Sequence, residues 1–254
     1  MALWALGYAE AALADTEQAL RDAREISHAA TLMYALYKTS LTHILRGNYA
    51  AAKAEADELA ALADEKGALL WKAWGMMNQG CVFALTGKAS DSVHKITSGI
   101  TAVRSTGGTL WMPLYLSNLA RAYAELGQLD DAWRCIGEAT MAIETTKETW
   151  FEAEANRIAG EIVLLSPGPD AAKVEAYFDR ALMVARQQQA KSFELRAAMS
   201  LARLWRDQGK PQQARELLAP VYGWFTEGFD TRDLKEAKAL LEEFDGLNNS
   251  RALA

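Results

Sequence analysis

The chain has 254 residues, of which 50% are apolar and 24% charged, and carries a formal net charge of −6. That balance argues against general nucleic-acid binding, which needs a basic surface to displace counterions from phosphate. Its five prolines and its wealth of Ala, Leu, Glu, Gln and Arg point to an all-α chain with a substantial core.

In chain order, Ala-rich apolar runs break at Gly7, Gly47, Gly87, Gly127, Gly168 and Gly209, a period of about 40 residues that marks a repeat architecture. Second helices are expected after each break, at about 9–27, 49–66, 89–105, 130–146, 170–188 and 211–226. First helices are expected before them, at about 29–45, 69–85, 110–126, 149–165 and 192–208. A terminal helix at about 231–245 carries Leu234, Ala237, Leu241 and Phe244 on one face, and Lys235, Glu236, Glu242 and Glu243 on a wet outer side.

The register within the unit explains the period. Small residues recur five positions after the glycine (Ala12, Ala52, Ser92, Ala132, Ala214) and, with exceptions such as Leu59, twelve after it (Ala19, Gly99, Ala139). A second small series, Ser40, Gly80, Ala120 and Ala202, lies seven before it, with Gly160 in a unit shifted by one residue. Such positions let two helices approach closely, while His43, Phe83, Tyr123 and Trp205 fill the wedge where the pair opens. The glycine supplies a left-handed cap that costs other residues a Cβ clash. Each unit therefore reads as a helix-turn-helix hairpin. The unit at Gly7 has only six residues before its turn, so its Ala12 and Ala19 face is expected to lie uncovered.

Small residue, aromatic, glycine turn and alanine in this order resemble the tetratricopeptide repeat, best in Leu119-Ala120-Arg121-Ala122-Tyr123-Ala124-Glu125-Leu126-Gly127-Gln128-Leu129-Asp130-Asp131-Ala132. The usual unit has 34 residues; the longer period resembles repeats of large bacterial regulators such as the activator of the maltose regulon. The resemblance implies one all-α domain over 1–254: an α-α superhelix, or tetratricopeptide-like solenoid, of about five to six hairpins plus a C-terminal capping helix.

The tail is more specific. Ser200-Leu201-Ala202-Arg203-Leu204-Trp205, Tyr222-Gly223-Trp224-Phe225-Thr226-Glu227-Gly228-Phe229-Asp230-Thr231 and Leu234-Lys235-Glu236-Ala237 resemble the end of bacterial proteins that join a class III nucleotide cyclase, a STAND-type ATPase and a helical-repeat region. That resemblance implies the sensor or regulatory part of a signalling protein. No phosphate-binding loop of the ATPase type occurs in the chain, so no catalytic residue carries over.

By resemblance, the groove-facing positions are Tyr34, Tyr37, Trp74, Met77, Ser117, Arg121, Glu154, Arg157, Glu161, Arg196, Met199, Arg203 and Arg206, aromatic at one end and charged at the other. Arginine suits bidentate capture of carboxylate or phosphate, although Glu154, Arg157, Glu161 and Arg196 are also spaced to pair among themselves. Trp71, Trp111, Phe151 and Phe193 form a ladder that either seals neighbouring hairpins or lines an aromatic groove; the packing needs of the added helical turns favour sealing.

The expected function is a non-catalytic scaffold for a protein, peptide or small effector, with homodimerisation through the uncovered N-terminal hairpin as the alternative. Neither cofactor nor metal is expected, since His28, His43 and His94 fall in different units and Cys81 and Cys135 lack ligand spacing. With no signal peptide and no long apolar run, a cytoplasmic location without a membrane span is expected.

Overall fold

The computed structural model describes residues 1–252, with side chains described through residue 246, and contains helices but no strand among them. In chain order the helices are α1 (Ala2–Ala5), α2 (Ala9–Ile26), α3 (Ala29–Arg46), α4 (Tyr49–Glu65), α5 (Leu69–Leu85), α6 (Ala89–Arg104) and α7 (Met112–Glu125). They continue as α8 (Leu129–Thr146), α9 (Glu152–Leu165), α10 (Ala171–Gln187), α11 (Lys191–Asp207), α12 (Pro211–Tyr222) and α13 (Arg232–Ala252). The expected helices are all present, and most of their ends agree to within a residue or two. The largest differences are α12, which stops at Tyr222 and leaves residues 223–231 as turns, and α13, which runs on to Ala252.

The punctuating glycines end or follow the first helices with left-handed φ, from 66° at Gly168 to 100° at Gly7. Gly47 shows why: its φ of 81° lets its own N–H reach the Ile44 carbonyl at 3.2 Å and the Asn48 N–H reach that of His43 at 2.9 Å. These bonds satisfy carbonyls that the helix end would orphan. The following helix starts are capped in turn. Asn48 accepts from the Ala51 N–H, Asp170 from the Ala172 and Lys173 N–H groups, and Pro211 occupies the first turn of α12.

The helices group into two compact units: Met1 with residues 10–151, and residues 2–9 with residues 152 onward. In the first unit, α3/α4, α5/α6 and α7/α8 are the hairpins, with α2 before them. Their second helices bury the expected stripe: Ala52, Ala56 and Leu59; Ser92, Ile96 and Gly99; Ala132, Ile136 and Ala139. The small residue seven before the glycine meets this stripe directly. Ser40 donates its hydroxyl to the Ala52 carbonyl at 2.9 Å, and a Cβ placed on Gly80 would stand 2.5 Å from Ile96 Cγ1. The hairpins thus close at a distance only Gly, Ala or Ser permits. His43 fills its wedge, buried, with Nε2 3.5 Å from the Glu55 carboxylate.

The second unit stacks α9/α10 and α11/α12 and ends on α13. Here Gly160 faces Phe178, and Leu234, Ala237, Leu240 and Phe244 of α13 are buried. Leu241, expected on that inner face, is half-buried instead, and Leu240 takes its place. Of the expected wet face, Glu236 and Glu243 turn to arginines of α11, as described below. The N-terminal face differs from expectation in part: Ala12 is buried, while Ala19 is exposed.

Candidate functional site

Each unit presents its own candidate surface. In the first unit, three of the proposed groove positions, Tyr34, Tyr37 and Trp74, build an aromatic assembly with Trp71, Tyr115 and Lys38 on α3, α5 and α7. Tyr37 packs on Trp74 with ring centroids 5.4 Å apart, and Trp74 packs on Tyr115 at 5.8 Å. Tyr34, half exposed at 54%, stands edge-on to Trp71. Beneath, the Tyr115 hydroxyl donates to Asn78 Oδ1 at 2.7 Å and lies 3.3 Å from the Tyr37 hydroxyl, while Asn78 Nδ2 donates to the Tyr37 carbonyl. Burial raises the pKa of both phenols above the ordinary tyrosine value, so they act here as neutral hydrogen-bonding groups.

Lys38 projects from α3 into these rings. Its ammonium lies 4.2 Å from the centroid of Trp111 and 5.6 Å from those of Tyr34 and Tyr37. Burial lowers its pKa, and the negative field of Glu148 works in the opposite direction. Cation–π attraction of this kind gains strength where water is partly excluded. Trp111 is itself held in an unusual backbone state, φ 63°, by the Glu148 carboxylate, which accepts its N–H at 2.9 and 3.1 Å and the Trp150 indole N–H at 2.9 Å. Beside Lys38 a cavity of about 370 Å³ opens between α2 and α3, against Asp15, Thr16, Ala19, Tyr34 and Ala35.

Other proposed positions of this unit are placed differently. Met77 is fully buried against Gly99 of α6, and Ser117 is buried with its hydroxyl on the Pro113 carbonyl at 2.7 Å. Arg121 is half-buried beside Cys81, whose thiol burial pushes up in pKa despite the attraction of that arginine. Such a thiol is protonated and unreactive.

In the second unit the charged positions come together as a network. Arg157 grips Glu154 through two parallel bonds of 2.7 and 2.8 Å, pairs with Glu161, and reaches the Ser200 hydroxyl at 3.3 Å. Burial opposes its charge, but the two carboxylates outweigh that and raise its pKa. Arg196 donates to Asp233 of α13 at 2.7 Å and lies 3.6 Å from Glu154. Arg203 pairs with Glu236 at 2.9 Å and Arg206 with Glu243 at 3.2 Å. The arginines of α11 are thus matched by an acidic row from the terminal helix, while Met199 between them is buried.

The ladder residue Phe193 is covered by the chain itself. Trp4 of α1 stands edge-on to it at 5.2 Å, and the Arg196 guanidinium lies 4.8 Å from the Trp4 ring. Lys38, Glu148, Trp150, Trp4 and Asp233 carry no periodic signal, and nothing in the sequence marks them as site residues. Among the described residues no three metal-ligating side chains converge, and no helix is long and apolar enough to cross a membrane.

Two stretches, 113–135 and 195–220, match the family model of the tetratricopeptide repeat. They cover α7 with the first part of α8, and most of α11 and α12. Among solved structures, the apo form of RapI is similar over 95% of this chain and 81% of its own, with 12% identity and a TM-score of 0.64. BtubC (BKLC) from P. vanneervenii is similar over 84% of this chain and 89% of its own, with 13% identity and a TM-score of 0.57. No curated protein matches the chain by sequence. At such identities the likeness concerns the fold, which is all-α and of the tetratricopeptide-like solenoid class, a scaffold type consistent with protein–protein interaction.

Proposed function

We propose that the chain is a non-catalytic scaffold that holds a segment of a partner protein against the first helices of its hairpins. The observation that carries this reading is the surface of α3, α5 and α7, where exposed Tyr34 stands edge-on to half-buried Trp71 and, with Lys38, borders the cavity between α2 and α3. Rings locked by their neighbours, beside one cation, offer contact area at small entropic cost. Lys38 suits a carboxylate on the incoming segment, and Tyr34 its apolar neighbour.

The signalling context is the finer part of the proposal. The tail residues 200–205, 222–231 and 234–237 support a regulatory repeat region related to bacterial cyclase–ATPase fusions, acting on a cyclase in the same or an associated polypeptide. The test is a peptide array probed with the purified chain and with Tyr34→Ala/Lys38→Ala. Acidic peptides retained by the first and lost by the second, at equal melting temperature, support the reading. Equal retention by both sinks it. For the signalling part, addition of the chain to a cyclase–ATPase fusion lacking its repeats must alter the cyclase rate.

A further inference from the structure

Within the second unit, the contacts of residues 2–9 with α11 and the 223–229 turn are those of a bound peptide with its receptor. Trp4 is 2% exposed, its ring lying between the edge of Phe193 and the guanidinium of Arg196. The Trp4 carbonyl accepts from the Ser192 hydroxyl at 2.5 Å and from the Gly7 N–H at 2.9 Å, so one acceptor is shared by the receptor and by the turn that ends the segment. Gly7 is required at that place twice over. Its φ is 100°, and a Cβ there would stand 2.5 Å from the Trp224 ring. Tyr8 then closes on Trp224 with ring centroids 5.9 Å apart.

The receptor side is built independently of the segment. Arg196 is anchored by Asp233 and Glu154, and Lys191 lies over the Trp224 ring at 5.4 Å while pairing with Glu194 at 2.7 Å. The charged parts of the seat are thus paired within the seat itself, which lowers the ordering cost of binding. The segment contributes little rigidity of its own, because a four-residue helix is not stable in isolation. Beside the segment a cavity of about 620 Å³ opens, with Leu6 and Tyr8 on one side and Arg186, Lys191 and Trp224 on the other, so residues 2–9 leave part of the receptor surface unfilled.

We propose that this surface of α11 and the 223–229 turn is a recognition site for a tryptophan-bearing helical turn of the form Trp-x-x-Gly, occupied in cis by residues 2–9 and open to exchange with a segment of the same chemistry from a partner protein. Tryptophan fits because it combines a large apolar face with a π-system that attracts the Arg196 cation. Covalent attachment gives the cis segment an effective concentration of roughly millimolar. A partner segment therefore competes only when it binds better or when the cis turn is weakened. This site is separate from the aromatic face of the first unit, and either can fail without the other.

The test uses the full chain carrying Gly7→Val, which strains the cis turn and drives a side chain into Trp224 without altering a seat residue. A fluorescein-labelled, acetylated peptide of the sequence of residues 2–9 is titrated and followed by anisotropy. The expected result is saturable binding at least tenfold tighter than to the unsubstituted chain, lost with the Trp4→Ala peptide and weakened several-fold by adding Arg196→Ala to the protein. Trp4→Ala protein, which vacates the seat by a different route, must bind the same peptide. Absence of saturable binding to both folded variants overturns the proposal, as does equal binding of the Trp4→Ala peptide. Loss of the cooperative fold in both variants also overturns it, since a segment the fold cannot spare is not exchangeable.

Discussion

Glu148 holds Trp111 by its backbone: the carboxylate accepts the Trp111 N–H with both oxygens while the residue sits at φ 63°. For a bulky residue that backbone state costs on the order of 1–2 kcal/mol, and the charge-assisted bond is what offsets it. The same carboxylate takes the Trp150 indole N–H, so one acidic side chain sets two aromatic rings 5.2 Å apart at the end of the Lys38 cage. Glu148→Ala removes the acceptor that both N–H groups use, and a loss of about 2–3 kcal/mol is expected. Urea titration reads this as a lower midpoint. Glu148→Gln keeps an acceptor and is expected to lose less than half as much; equal losses would mean that Trp111 does not depend on the bond.

Tyr37 and Tyr115 predict an alkaline limit to stability. Burial raises the folded pKa of both above the free value of about 10. The unfolded chain therefore releases these protons first, and stability falls as pH rises. The contribution is fully present below about pH 10 and declines above it. Measured between pH 8 and 11.5, the urea midpoint is expected to drop, and the drop is expected to be shallower in Tyr37→Phe/Tyr115→Phe. Phenolate absorbance supplies a second reading, with these two rings ionising only as the chain unfolds.

The Glu154–Arg157 pair is buried on both sides, and removing Arg157 takes from Glu154 its two short bonds and leaves it the longer 3.6 Å contact with Arg196 in a poorly solvated place. Arg157→Leu is expected to cost about 3–5 kcal/mol. Glu154→Leu/Arg157→Leu is expected to recover most of that, because neither charge is left behind. Thermal melts of the two variants decide it. A double variant as unstable as the single one would place the cost in packing around Ser200 rather than in charge.

What the sequence reveals and what it hides follow from distance along the chain. Gly80 against Ile96 and Ser40 against Ala52 are contacts within one hairpin, so the 40-residue period repeats them and the register can be read directly. Arg157 with Glu154 and Glu161 is equally visible, since i+3 and i+4 spacing fixes neighbours on one helix. The contact of Trp4 with Ser192 spans 188 positions and occurs once, so no period encodes it. Glu236 and Glu243 read as a solvated face because sequence alone does not say that arginines of α11 lie opposite. Met77 has the same periodicity as a groove residue, yet the space left by Gly99 draws it into the core instead.

Helical glycines separate packing from propensity within a single fold. At Gly160 an added Cβ would stand 2.5 and 2.7 Å from the Phe178 ring, and at Gly80 it would meet Ile96. Both neighbours are buried, and the ring cannot retreat without opening the hairpin. Gly160→Ala and Gly80→Ala are therefore expected to destabilise by about 1–3 kcal/mol despite the better helix propensity of alanine. Gly137, inside α8, has nothing within 4 Å of such a Cβ. There the propensity term acts alone, and Gly137→Ala is expected to stabilise by about 0.5–1 kcal/mol. The three variants share one chemical change, so denaturation midpoints that move in the same direction would refute the close-approach account of the hairpins. Opposite signs, with Gly160→Ala the most damaging, are what the Phe178 contact requires.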